Sequence, residues 1–285
     1  MKIILSRKGF DSANGGVASP ILPDGSLLSL PIPAHKSAIS YADLHRNDYS
    51  LGAIVEDLTK QRITRSNFAH LDPDLNADIF PRHQSWRPLF GQAGAAQSHL
   101  AHCGISSGDL FLFFGWFRQV ACVDGHYRFV AGTPDLHVIF GWLQIDTILS
   151  VRHGHSDVPA WAQYHPHLHE SFAAQQNTLY IARDKLKLDG IPTKHSGASI
   201  FKKYHKHLCL TAPGETRTVW SLPAWFHPRN GSTPLSYHAN MERWSSVDKH
   251  TVLRSVARGQ EFVLDTEQYP EAIEWAHKLI AHGTD

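Results

Sequence analysis

A chain of 285 residues, 42% of them apolar, is long enough for one large domain or two small ones around a sizeable core. Its formal net charge of +1 excludes a strongly basic, sequence-blind nucleic-acid coat, whose affinity needs many phosphate contacts, and leaves room only for a local basic face. Cys103, Cys122 and Cys209 are scattered and form no CxxC pair, which excludes a disulfide framework and fits a reducing cytoplasm. The start, MKIILSRKGF, is too short an apolar run for a signal peptide, and the most apolar stretch, DLFLFFGWF, is too short for a membrane-spanning helix.

In chain order, residues 2–6 read as a short buried strand, followed by the loop RKGFDSANGGVASP, whose glycines allow backbone to approach a ligand. LPDGSLLSLPIP carries an Asp24-Gly25 turn between apolar runs and reads as a hairpin. Residues 50–62 suit a helix; HLDPDL and the segment up to WRPLF read as irregular loop. GQAGAAQSHLAHCG (91–104) is expected to be helical, with Ala93, Ala96, Leu100 and Cys103 on one face, Gln92 and His99 on its flank, and Gly104 as its stop. LFLFFGWFR is a strand buried on both faces, Asp124-Gly125 a hairpin turn, and LHVIFGWLQI a further strand. Gly115 and Gly141, in the shared Phe-Gly-Trp phrases, leave room for a bulge or a close approach. NTLYIA, the end of FKKYHKHLCLT and RGQEFVLD complete the strands, VWSLPAWF is aromatic and interrupted by Pro223, and PEAIEWAHKLIAHG closes the chain as a helix. No linker divides it, so the expected fold is α+β: one compact domain over residues 1–285, with a mixed, barrel-like sheet and flanking helices.

Several constellations could carry chemistry. YHPHLHES places His165, His167 and His169 beside Glu170, with Pro166 arguing against a helix interior. Neither HExxH nor finger-type Cys/His spacing is present, so the expectation is a loop facing ligand or solvent, with no metal. His165 could then contact an anion, and His167 could move a proton. Arg7, Lys8, Asp11 and Ser12 follow a strand directly and precede Asn14-Gly15-Gly16; cations beside a glycine turn suit a phosphate, and Asp11 suits a base or a sugar hydroxyl. No Walker loop or dinucleotide fingerprint occurs, and the ordinary alternative is a charged surface loop.

Arg87 beside Trp86 could pair with an anion or tie loop to helix, and Gln92 could read a base edge. Asp72 and Asp74 flank Pro73 in the manner of paired carboxylates for Mg²⁺, a short and common pattern. Trp116 and Trp142, with Arg118 nearby, could form a stacking slot, although tryptophans on such apolar strands are usually core. Glu261 in RGQEF is a candidate acid or base, against the usual surface salt bridge. FKKYHKH is the best local basic patch, with a solvated face as its default reading. No GxSxG elbow or cysteine-nucleophile signature supports a covalent hydrolase.

The phrases SRKGFDSANGGVASPILPDGSLLSLPIP, WRPLFGQAGAAQSHL, GDLFLFFGWFR, HVIFGWLQI, HPH, NTLYIA, LPAWF, LSYH and RGQEFVLD, spread over nearly the whole chain, resemble the third of the nucleotide-modification-associated domain families. That family is found in bacteria and phages and is linked to DNA base hypermodification by genomic context. The resemblance supplies no catalytic residues. Residues 86–150 also resemble the helix–strand core of PUA-like (ASCH/EVE) barrels, through the helix ending at Gly104, the Gly108-Asp109 turn, LFLFFGWF and VIFGWLQI. The PUA-like class binds modified bases or RNA in a barrel pocket.

Together these readings imply a DNA base or nucleotide modification protein that binds a nucleobase in an aromatic pocket and acts on it, as a transferase or a glycosidic-bond enzyme. The candidate catalytic residues are Asp11, His167 and Glu261. Arg7, Lys8, Ser12, Arg87, Gln92, His99, Trp116, Arg118, Trp142 and His165 are the candidate substrate contacts. A non-catalytic reader of modified bases and a metal-dependent hydrolase built on HPHLHE are the alternatives. The expected partner is a nucleotide or DNA, with no membrane and a cytoplasmic location; the sequence names no cofactor.

Overall fold

The computed structural model describes residues 1–151, 157–169, 176–228 and 231–283. In chain order the described elements begin with β1 (Lys2–Arg7), β2 (Ser19–Ile21), β3 (Ile32–Ala34), β4 (His45–Arg46), β5 (Tyr49–Ser50), α1 (Leu51–Thr59) and β6 (Phe68–His70). The middle contributes β7 (Leu89–Ala93), α2 (Gly94–His102), β8 (Leu110–Val123), β9 (His126–Phe129), β10 (Leu136–Ser150) and β11 (Asn177–Ala182). The last part holds β12 (Lys185–Leu188), β13 (Ile191–Ser196), β14 (Ala198–Ile200), β15 (Val219–Pro223), β16 (Trp244–Val247), β17 (His250–Arg254), β18 (Glu261–Asp265) and α3 (Glu271–Gly283). None of the described helices is long and apolar enough to cross a membrane.

These elements form one mixed α+β domain. Its main sheet runs β18-β1-β8-β10-β11-β7, with β2 and β9 also on β8 and β14 on β10. β8 pairs parallel with β1 and antiparallel with β10. A central strand covered on both faces must be apolar on both, and the first six residues of β8, LFLFFG, are all buried. The register between β8 and β10 slips between Ile139 and Gly141, the bulge that glycine permits. Gly115 serves the close approach instead: a Cβ there would lie 2.7 Å from the Lys8 carbonyl oxygen.

The sheet is mixed, as expected, but no backbone ladder closes it into a barrel among the described residues. Its two end strands, β18 and β7, nevertheless meet through side chains: Gln92 Nε2 donates to Glu261 Oε1 at 2.5 Å. α2 leaves the end of β7 and packs over β18, with Leu100 buried beneath it. The helix expected over 91–104 thus begins only at Gly94. Residues 89–93 pair with β11 instead, Gln92 opposite Thr178, because ladder pairing outweighs a weak helical pattern. Gln92 and His99 consequently sit on different elements. FKKYHKHLCLT forms a single 3₁₀ turn (Lys206–Leu208) and isolated bridges rather than a strand.

Apolar side chains divide into a main core around β1, β8, β10 and β18, backed by α3, and a second core around α1 that includes Phe10, Tyr41 and Leu71. Trp142 belongs to the first: it is 1% exposed, packs on Phe201 and donates its Nε1–H to the Ser196 carbonyl. It therefore cannot stack on a ligand, and the pair of tryptophans expected to form a slot is separated. Asp74 is also internal, held by Arg82 through 2.5 and 2.7 Å contacts and by the Tyr164 hydroxyl. It pairs with arginine, not with Asp72.

Two core histidines make stability depend on pH. Burial holds His137 at about 3 and His238 at about 4. Both values lie below the unfolded value near ~6.5, so only the unfolded chain takes up these protons as pH falls below that point. Each should cost about 1.4 kcal/mol by about pH 5.5. Urea unfolding is expected to show a lower midpoint there than at neutral pH. His137→Asn keeps an acceptor for the Trp220 indole and should remove the His137 share of that difference, about 1.4 kcal/mol. An unchanged midpoint in the wild type would contradict this account.

Candidate functional site

β1 delivers Arg7 and Lys8 to the head of a glycine-rich loop. Lys8 N–H continues the ladder to the Phe114 carbonyl, and the loop then turns back on itself through Asp11 N–H to Asn14 O. The turn needs Gly15, whose φ is +87° and whose absent Cβ would strike the Phe10 ring at 2.3 Å. Asp11 Oδ1 accepts from the Ala13 and Asn14 amides and from Asn14 Nδ2. The carboxylate expected to move a proton is thus committed to shaping its own loop.

The cations beside it are fixed as well. Arg7 donates to the Val256 and Ala257 carbonyls and lies against the rings of Phe114 and Phe262; burial lowers its pKa and Asp11 opposes that shift. Lys8 Nζ reaches Glu261 Oε1 at 2.8 Å, over the ring of Phe90. Gln92 binds the same Glu261 oxygen with Nε2, while its own Oε1 accepts from Ala93 N–H. Glu261 is 1% exposed, and its Oε2 has no hydrogen-bond partner. It stands behind the wall and orients Lys8 and Gln92, which line the cleft, so direct proton exchange with a substrate does not suit it.

Gly91, adjacent to Gln92 on β7, faces the other way. Its N–H donates to Asp72 Oδ1 at 2.8 Å, and a Cβ there would meet the His167 ring at 2.5 Å. Around Asp72 gather three imidazoles: His165 Nε2 at 3.4 Å from Oδ1, and His167 Nε2 and His70 Nε2 at 3.6 and 3.8 Å from Oδ2. Burial alone would raise the Asp72 carboxyl; hydrogen bonds from His165, His167 and His70 outweigh it and hold the group well below the usual carboxylate range, which at His167 Nε2 requires a proton on that nitrogen or a cation in its place.

His165 opens the 3₁₀ turn Pro166–Leu168 and accepts the His167 amide with Nδ1, which places its proton on Nε2, toward Asp72. Burial keeps this ring neutral, at about 4. His167 is oriented from behind: Asn177 Nδ2 donates to the His167 carbonyl, so Asn177 Oδ1 faces Nδ1 at 2.6 Å and accepts its proton. The neutral His167 ring then carries its lone pair on Nε2, pointed at Asp72 Oδ2.

Two cavities meet at this loop and share Arg7, Lys8, Gly9, Asp11 and Gln260. One, about 400 Å³, is lined by His70, Asp72, Gly91, Gln92 and His167. The other, about 390 Å³, is lined by Ser12, Trp116, His137, Arg217 and Arg258. The first can exchange protons and hold a polar heterocycle edge. The second is cationic and suits an anion.

The structure thus brings together Arg7, Lys8, Asp11, Ser12, Gln92, Trp116 and His167, with Glu261 behind them. The remaining candidates lie elsewhere. His165 is 0% exposed and cannot touch a substrate or solvent; it acts only through Asp72. Arg87 forms a salt bridge as in its ordinary alternative, but to Asp146 on β10 and to Asp184 before β12, with no helix in the tie. Arg118 caps Val130 and Thr133 over the Phe129 ring. His99 bonds Ser236 and packs on Tyr237. Trp116 offers a partly covered ring, since Arg217 lies over it at 4.2 Å. His169 is exposed, its Nε2 on the Gln163 carbonyl, and Glu170 lies outside the described residues. The site residues that sequence reasoning did not assemble are His70, Asp72, Gly91 and Asn177. HLDPD held the first two in a two-residue spacing that resembles any acidic loop.

Gly91→Ala tests the packing of this wall. The added methyl must displace the His167 ring, and overpacking of this kind costs about 1–3 kcal/mol. Urea unfolding should show that loss, together with a shifted His167 imidazole resonance. Wild-type stability and an unmoved resonance would mean that the ring is not held against β7.

No curated protein and no solved structure matches the chain, so its likeness to PUA-like barrels rests on the sequence phrases alone. One family model does match, from the first residue of β1 to the last of β18, and it takes in every residue of both cavities. On that match over residues 2–265, the chain belongs to the nucleotide modification associated domain 3 family.

Proposed function

We propose that this chain is an enzyme of nucleotide or DNA base modification, whose substrate lies across Gly9–Asp11 with its phosphate in the arginine-lined cavity and its base in the cleft of the Asp72 cluster. The observation that carries this reading is the junction of two cavities of unlike chemistry at one loop. Phosphate asks for a concentration of N–H donors and positive charge, which Arg217 and Arg258 add to Arg7 and Lys8. A base edge asks for a donor and acceptor held in place, as Gln92 is by Glu261 and the Ala93 amide. His167 is the group positioned to move a proton, with its Nε2 lone pair fixed by Asn177. Group transfer to a base and cleavage of a glycosidic bond would use these same parts. Family membership supports the nucleotide-related role.

Nucleoside mass spectrometry tests this. The protein is incubated with plain and with hydroxymethylpyrimidine DNA in the presence of cell extract, and the DNA is digested to nucleosides. A new or missing nucleoside is expected with the wild type. His167→Gln should reduce its yield at least ~100-fold, as removal of a positioned acid or base does. Arg217→Ala should instead weaken use of dilute substrate and lower the salt dependence. An unchanged nucleoside profile, with one DNA selectively retained on the immobilised protein, would overturn catalysis in favour of a modified-base reader.

A further inference from the structure

The Asp72 cluster has a geometry that hydrogen bonding alone does not explain. Asp72 Oδ1 is satisfied by the Gly91 N–H at 2.8 Å and is faced by His165 Nε2 at 3.4 Å. Asp72 Oδ2 faces two imidazole nitrogens instead, His167 Nε2 at 3.6 Å and His70 Nε2 at 3.8 Å. The Nε2 of a neutral His167 is an acceptor, because Asn177 holds the proton on Nδ1. Two electron-rich atoms facing each other in a buried site require a proton or a cation between them.

The separations favour a cation. A proton shared between imidazole and carboxylate draws the heavy atoms to about 2.7–2.9 Å. A metal ion with bonds of about 2.1 Å and tetrahedral angles instead sets its ligand atoms about 3.4 Å apart. The observed 3.6 and 3.8 Å lie within a few tenths of the second value, and the ligand atoms of His70, Asp72 and His167 all lie within 4.8 Å of one another.

We propose that His70, Asp72 and His167 bind one divalent first-row transition-metal ion, with a coordination position open to the cleft. Two imidazoles and one carboxylate are the donors that such ions accept. Soft-metal sites call for thiolates, and calcium and magnesium sites for all-oxygen shells. The outer partners of a metal site are also in place. Asn177 fixes the tautomer of His167, while Gly91 and His165 hold Asp72 Oδ1 and turn Oδ2 inward. The same three residues line the cleft of about 400 Å³, so the remaining position would face water or a substrate atom. The inference concerns binding; with an ion on Nε2, His167 would hold the ion instead of moving a proton, and water in the open position would supply the proton-transfer group in its place.

The test uses the full-length, tag-free chain, stripped with chelator and titrated with Co²⁺ by calorimetry and visible absorption. One ion per chain is expected, with the absorption of a nitrogen–oxygen site. His70→Gln should abolish it, and Asn177→Leu, which removes only the support of His167, should weaken it about 10–100-fold. Unchanged far-UV circular dichroism would show that each variant folds. His205→Gln/His207→Gln, in the exposed histidine patch beside His282, should bind as the wild type does. The proposal is overturned if the wild type binds no cobalt, or if binding survives His70→Gln and is lost in the surface variant. Cobalt binding without any nucleoside product would count against the nucleotide reading alone.

Discussion

A carboxylate largely withdrawn from water must be surrounded by donors or positive charge, and Asp72 sets that requirement for this molecule. Its two oxygens recruit four residues from three parts of the chain: His70 at the end of β6, Gly91 on β7, and His165 and His167 at the 3₁₀ turn. Asn177, the first residue of β11, then holds His167 from behind. Removing any one of these would leave a buried acceptor or ring without its partner. The loops around the cleft are therefore tied to the sheet by polar bonds, on top of the apolar packing that fills both cores.

β7 transmits this order across the wall. Successive residues of a strand point to opposite faces. Gly91 therefore meets the Asp72 cluster while Gln92 meets Glu261 on β18. That second contact is also where the two ends of the open sheet come together. Among the described residues no backbone ladder joins this seam, and α2 packs against both β7 and β18. A small residue at 91 and an amide at 92 allow one short strand to serve both sides.

The cations of the first loop illustrate how a site can be legible by type and not by role. Arg7, Lys8 and Asp11 were singled out because charge beside glycine suits an anion, and all three do line the cavities. Their local chemistry differs from the simple expectation. Asp11 shapes its own turn, Arg7 is clamped to two carbonyls, and Lys8 is neutralised in part by a glutamate more than two hundred residues away. Of the two arginines that complete the cationic cavity, Arg217 comes from a segment with no local pattern to mark it, and Arg258 from RGQEF, whose pattern points to Glu261.

What the sequence determined by itself is local in origin. Strand β1, the buried run of β8, the Asp124-Gly125 hairpin, β11 and α3 follow from apolar runs, turn residues and helical periodicity, which act within a few residues. The spread of family phrases over the chain likewise carried the nucleotide-modification assignment. What only the tertiary structure decided depends on pairing between distant segments. Residues 89–93 became a strand because β11 offered a ladder; Trp142 became core because Phe201 and β14 cover it. HPHLHE was read from its own spacing, which lacks any metal signature. His165 and His167 acquire their geometry from Asp72 and Asn177, since a buried imidazole is defined by the donors and acceptors around it rather than by its neighbours in sequence.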